Sequence, residues 1–144
     1  MKMILLAQVG ASLVMTGIIW FAQIVHYPLL DRVGTKNFLK YQGDNLRLTG
    51  WVVGPLMGIE AASALLLFWF PPLGISSTPV YANMVLLILI WLSTAFLQVP
   101  QHRILARGYD AKAHSFLIRT NWIRTGSWSA RALLVLWMVN ASMA

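Results

Sequence analysis

The chain has 144 residues, of which 58% are hydrophobic and only 10% charged, where a soluble domain of this size carries about 25% charged residues. With a mean hydropathy of +0.68, a soluble globular enzyme is excluded. Eleven Lys and Arg against four acids leave a net charge of +7. These bases alternate with long apolar runs instead of forming one solvated face, so they imply a membrane surface and not nucleic acid.

There is no cysteine, hence no disulfide framework, thiolate metal site or Cys nucleophile. A bilayer core of about 30 Å takes roughly 20 apolar residues per helix. Residues 3–25, 47–70, 78–99 and 121–143 reach that length. The expected fold is all-α: a four-transmembrane-helix bundle forming a single integral membrane domain over residues 1–144. The first run stays apolar for more than 20 residues, longer than a signal-peptide core, so it is expected to be retained as a span.

Between the first and second spans lie Arg32, Lys36, Lys40 and Arg47; between the third and fourth lie Arg103, Arg107, Lys112, Arg119 and Arg124. The turn at 71–77 carries no charge, and only Lys2 opposes the bias. The positive-inside rule therefore places both long loops in the cytoplasm and both termini outside, with a bacterial inner (plasma) membrane as the expected location. Thr35 and Asp110 are N-cap residues that open short amphipathic helices in the two cytoplasmic loops, at 35–45 and 110–120. These either run on into the following spans or lie on the membrane surface.

An internal repeat shows at an offset of about 76 residues. Gln23-Ile-Val-His-Tyr-Pro28 closes the first span as Gln98-Val-Pro-Gln-His-Arg103 closes the third. Asn45-Leu-Arg47-Leu-Thr49-Gly50-Trp51 opens the second as Asn121-Trp-Ile-Arg124-Thr125-Gly126-Ser-Trp128 opens the fourth. The pattern describes two helical hairpins in parallel orientation about an axis along the membrane normal.

Each span carries a polar stripe. At about 100° per residue, Gln8, Ser12, Thr16, Gln23 and His26 share an arc of about 80°. Asn121, Arg124, Trp128 and Arg131 share one in the fourth span, and Asn83, Thr94, Gln98 and Gln101 one in the third. Thr49 and Glu60 lie beside a Gly50, Gly54, Gly58 ridge of the close-packing kind, fit for a membrane-protein partner or a second copy. Polar stripes in lipid face inward. Glu60 lies roughly 20 Å, and Arg131 roughly 15 Å, from the inner ends of their spans, where an unpaired charge costs at least about 2.5–3.5 kcal/mol. They are expected to pair, directly or through water.

At shallower depth Gln23, His26, Gln98, His102, Asn121 and Arg124 are expected to line a pocket open to the cytoplasm, with Glu60 and Arg131 deeper and Trp20, Trp91 and Trp128 flanking an apolar ring. Basic groups there suit an acidic or phenolic head group on a lipophilic small molecule. No metal is expected: His26, His102, Glu60 and His114 lack ligand spacing, and the arginines repel a cation. No phosphate loop, nucleophile elbow or Schiff-base lysine is present. Nothing in these residues names a cofactor.

Val99-Pro-Gln-His-Arg-Ile-Leu105, followed by Asn121-Trp-Ile-Arg-Thr125, resembles the C-terminal signature of small four-span anthrone-oxygenase-like membrane proteins, a Val-Pro-x-Asn-x-x-Leu run and a later Trp/Asn-x-x-Arg-Thr run. The resemblance covers about 30 residues, with His102 where that pattern has Asn. It implies oxidation of a polycyclic phenolic substrate by O₂ without an evident cofactor, and carries over to Asn121, Arg124 and the substituted His102. Two functions remain open. One is an oxidoreductase or oxygenase for a lipophilic aromatic or quinone-like molecule, in which His26 or His102 acts as base and Arg124 and Arg131 stabilise a phenolate. The other is a non-catalytic accessory subunit of a larger membrane complex. A small transporter is weaker, since a single Glu–Arg pair makes a poor proton relay.

Overall fold

Apolar runs of this length have one way to satisfy their backbone, and every element of the computed structural model is a helix. The structure describes residues 2–72 and 74–143; Leu73, in the turn expected at 71–77, lies outside the described residues. Helix α1 (Lys2–Phe21) ends in a π turn (Ala22–His26) and a 3₁₀ turn (Pro28–Arg32). Helix α2 (Thr35–Trp69) returns, and α3 (Ser77–Ser93) descends through a second π turn (Thr94–Gln98) into the short α4 (Val99–Leu105). Helix α5 (Ala111–Met143) closes the chain.

The long helices form a bundle in which α1 packs on α2 and α5, and α3 on the same two. Three segments, Lys2–Arg32, Thr35–Trp69 and Ser77–Leu105, are long and apolar enough to cross a membrane. Helix α5 is of similar length, but Arg119, Arg124 and Arg131 lower its apolarity.

The polarity of the bundle is inverted relative to a soluble protein. Gln8, Ser12, Glu60, Asn83, Gln98, Asn121 and Arg131 are buried, whereas Trp51, Val85, Phe96 and Leu133 are among many large apolar side chains on the outside. A soluble protein avoids both; lipid solvates the outer surface and rewards pairing within. The chain is thus a helical bundle consistent with an integral membrane protein.

The two amphipathic segments are not separate helices. Residues 35–45 are the first turns of α2, and those after Asp110 the first turns of α5, because nothing at the junctions breaks the helix. Asp110 caps α5, its Oδ1 accepting from the Ala113 N–H at 2.7 Å. Thr35 instead begins α2, and Gly34 is the cap. Gly34 and Gly108 hold φ of 79° and 147°, a region open to glycine, and so turn the chain into the two long helices. Leu30, Phe38, Leu105, Ala113 and Leu117 seal this basic end as part of one apolar cluster.

One polar network ties all four long helices together. Glu60 Oε1 accepts from Arg131 Nη1 at 2.9 Å and from Ser12 Oγ at 2.9 Å, and Oε2 accepts from Trp128 Nε1 at 3.0 Å. Arg131 Nε donates to Asn83 Oδ1 at 2.9 Å. Both ionic side chains are essentially inaccessible. Breaking a buried pair leaves an uncompensated charge, so Glu60→Gln is expected to cost about 3–5 kcal/mol in detergent unfolding. Adding Arg131→Met should recover part of this, and a double substitution equal to the sum of the singles would contradict the coupling.

Candidate functional site

The two π turns build the site. Along the first, Met15, Ile19, Gln23 and Tyr27 are buried at successive spacings of four. In a regular α-helix each such step overshoots a full turn by about 40°, and the stripe would rotate out of the interior. The π turn absorbs a residue, closing with Tyr27 N–H on the Ala22 carbonyl at 2.9 Å, and returns Tyr27 to the inner face. In the second, Ser93 Oγ donates to Gln98 Oε1 at 3.0 Å. Side chains five residues apart lie about 140° apart in an α-helix, so that bond exists only because of the wider turn. Such turns recur at functional sites.

Between these turns and the basic half of α2 opens a cavity of about 510 Å³. Its walls are largely apolar, from Met15, Ile18, Ile19, Leu46 and Val53. Gly50 and Gly54 form part of the α2 side, and a Cβ at either would meet nothing within 4 Å. This stretch of the glycine ridge therefore borders open space instead of packing against a neighbour in the chain. His26, Tyr27, Asn45, Gln98, His102 and Arg124 supply the polar lining.

Arg124 is buried there, and among the described residues no acid pairs with it. Its Nε donates to Asn121 Oδ1 at 3.0 Å, Nη1 to Thr94 Oγ1 at 3.3 Å and Nη2 to Tyr27 Oη at 3.3 Å. The guanidinium also sits 5.6 Å from the Trp128 ring centroid, a cation–π distance. His102 bridges Tyr27 Oη and the Gln42 amide, at 3.4 and 3.3 Å. His26 is half-buried and stacks on Phe21, centroids 6.4 Å apart.

Of the residues expected to share a pocket, His26, Gln98, His102, Arg124 and Trp128 do. Gln23 and Asn121 stand behind it: Asn121 Nδ2 donates to Gln23 Oε1 at 2.9 Å, and Asn121 in turn holds Arg124. Glu60 and Arg131 form the deeper network, joined to the cavity through Trp128. Trp20 lies outside, donating to Ser129 Oγ at 3.0 Å, and Trp91 lines a separate shallow apolar groove with Leu65 and Leu92. Among the described residues no three His, Asp or Glu side chains converge on a possible metal position.

Tyr27, Gln42, Asn45, Thr49 and Thr94 complete the polar lining and its support, and helical spacing does not mark them as site residues. The available signal for Tyr27 was its place beside His26 in a run echoed near His102. Comparisons with protein-family models, curated proteins and solved structures find no match.

Proposed function

We propose that this chain is a multi-pass membrane protein that binds a lipophilic aromatic or quinone-like molecule in the α1–α2 cavity and acts on it as a small oxidoreductase. The observation that carries the reading is Arg124: a buried cation with no acidic partner among the described residues, at the polar end of an otherwise apolar cavity. Charge-assisted hydrogen bonds to an acidic or phenolic oxygen are strong in such low-dielectric surroundings, while the apolar wall and the Trp128 ring suit a flat hydrophobic body.

His26 is the base in this proposal, since both ring nitrogens of His102 already have partners. It takes the substrate's proton and Arg124 holds the resulting oxyanion. The likeness to anthrone-oxygenase-like proteins extends the proposal to dioxygen as oxidant. A ring CH₂ becomes C=O with one oxygen atom of O₂, the other leaves as water with the two hydrogens, and no further reductant is needed.

The same reading takes α5 as a fourth span, because Trp122, Leu133, Leu136 and Trp137 give it an apolar outer face and its polar stripe meets those of α1 and α3. It also takes the two halves as related hairpins: each runs helix, π turn, short helix, positive-φ glycine, long helix. The same reading takes this end, and the cavity mouth, to face the cytoplasm of a bacterial cell with both termini outside; the exposed Arg32, Lys36, Lys40, Arg47, Arg103, Arg107, Lys112 and Arg119 support it through the positive-inside rule. Reporter fusions at Gly108 and at the C-terminus should accordingly read cytoplasm and exterior; the opposite pattern removes the orientation.

The binding test uses 1,4-naphthoquinone and 2-naphthol with the purified protein, read by quenching of tryptophan fluorescence, with Trp128→Phe to identify the reporter. Arg124→Gln should weaken naphthol binding at least tenfold, the size of a lost charged hydrogen bond of about 1.5–3 kcal/mol. Gly54→Leu should weaken both ligands without unfolding the protein, since the added side chain enters the cavity. Absence of quenching by either ligand, together with stoichiometric co-purification of another membrane protein, would replace this function with that of an accessory subunit.

A further inference from the structure

The hydrogen-bond inventory at the polar end of the cavity determines which of its groups remain free. Gln42 is buried, and its Oε1 accepts from Asn45 Nδ2 at 3.5 Å, which directs its Nε2 at His102 Nδ1, 3.3 Å away. An amide nitrogen only donates, so His102 Nδ1 accepts, and the neutral ring carries its hydrogen on Nε2. That hydrogen is donated to Tyr27 Oη at 3.4 Å. Arg124 Nη2 donates to the same oxygen at 3.3 Å. Tyr27 Oη therefore accepts from two sides, and its own O–H is left for the cavity that it lines.

The neighbouring groups lean the same way. Of the five N–H groups of Arg124, three are committed to Asn121, Thr94 and Tyr27, which leaves two. The acceptor oxygens of Thr94, Gln98 and Asn45 already receive hydrogen bonds from Arg124, Ser93 and Thr49. With the Tyr27 O–H, the polar end thus offers three uncommitted donors beside one another.

We propose that Tyr27 is the cavity's neutral hydrogen-bond donor, held in that role by Gln42 acting through His102, so that the pocket selects a head group of acceptor oxygens and rejects one of donor nitrogens. This rests on the ligand-binding reading of the cavity and names the substrate class within it: carboxylate, phenolate or quinone carbonyl on an apolar ring. Tyr27 is a binding residue that touches the ligand; His102 and Gln42 are positioning residues.

The test has a part that needs no ligand. In the full-length protein labelled with ¹⁵N-histidine, in detergent micelles, the His102 resonances should report a protonated Nε2 and an unprotonated Nδ1. Gln42→Glu replaces the donor facing Nδ1 by an acceptor and should move the proton to Nδ1. Nε2 then accepts the Tyr27 O–H and withdraws it from the cavity.

The second part compares 2-naphthoate with 2-naphthylmethylamine, which keep the ring and exchange an acceptor head group for a donor one. Naphthoate should bind at least tenfold more tightly. Tyr27→Phe should weaken it about fivefold, the scale of one neutral hydrogen bond, and Gln42→Glu by at least as much. Tyr27→Phe should add nothing in the Gln42→Glu background, because the same donor has already been lost.

A wild-type His102 protonated on Nδ1, equal binding of the two probes, or a Tyr27→Phe protein that binds naphthoate like wild type overturns this inference and leaves the cavity reading standing. Binding of neither probe overturns both. Should Tyr27→Phe fail to fold, the wild-type tautomer and the probe preference still decide.

Discussion

A carboxylate and a guanidinium buried near the middle of an apolar bundle govern how its helices assemble. Separated, each would carry a desolvation cost that lipid cannot relieve; together, Glu60 and Arg131 neutralise one another at 2.9 Å. Completing the solvation of that pair draws in Ser12 from α1, Asn83 from α3 and Trp128 from α5. All four long helices are thereby fixed in register at one depth. Lipid tails are as apolar as the helix surfaces, so hydrophobic burial cannot impose that register. Satisfaction is incomplete, for Arg131 Nη2 has no partner among the described residues; the pair specifies an arrangement more than it maximises stability.

The two buried arginines of α5 divide two tasks. Arg131 faces a carboxylate, and its charge is consumed by the fold. Arg124, seven residues earlier on the same stripe, meets only neutral oxygens and the face of Trp128. Those contacts orient the guanidinium without cancelling it. Trp128 serves both, giving its N–H to Glu60 and its ring to Arg124. The deep pair therefore sets the position of the surface on which the shallower cation rests.

Much of this was legible in the sequence because lipid makes polar residues scarce and their placement costly. The stripes on α1, α3 and α5, and the meeting of Glu60 with Arg131, follow from the helical rise and the price of an unpaired charge. Tyr27 and Gln42 were not legible as site residues. A fixed 100° step carries no information about a π turn, and Gln42 lies in a segment read as a loop helix. Trp20 and Trp91 looked like ring-flanking residues, but a tryptophan facing lipid and one facing a cavity leave the same trace in composition. The glycine ridge reads as a close-packing face; that Gly50 and Gly54 also border a void is nothing their spacing can tell.

That void raises the question of what keeps it open. In water, apolar walls around about 510 Å³ would be driven together, since closure removes them from solvent. In lipid this drive is absent, and packing interactions alone favour collapse. The glycines remove side chains from α2 where it borders the cavity. Across the gap runs a chain of side chains, Asn45 and Gln42 on α2, His102 on α4, Tyr27 just after the first π turn and Arg124 on α5. If α2 moved in to fill the space, the Gln42–His102 contact, the one of these that crosses to α2, would be lost and its polar atoms left unpaired in low dielectric, at a cost of about 1–3 kcal/mol each. The polar end of the cavity is thus also its strut: the Gln42–His102 contact that orients Tyr27 toward a head group also holds open the room for its ring.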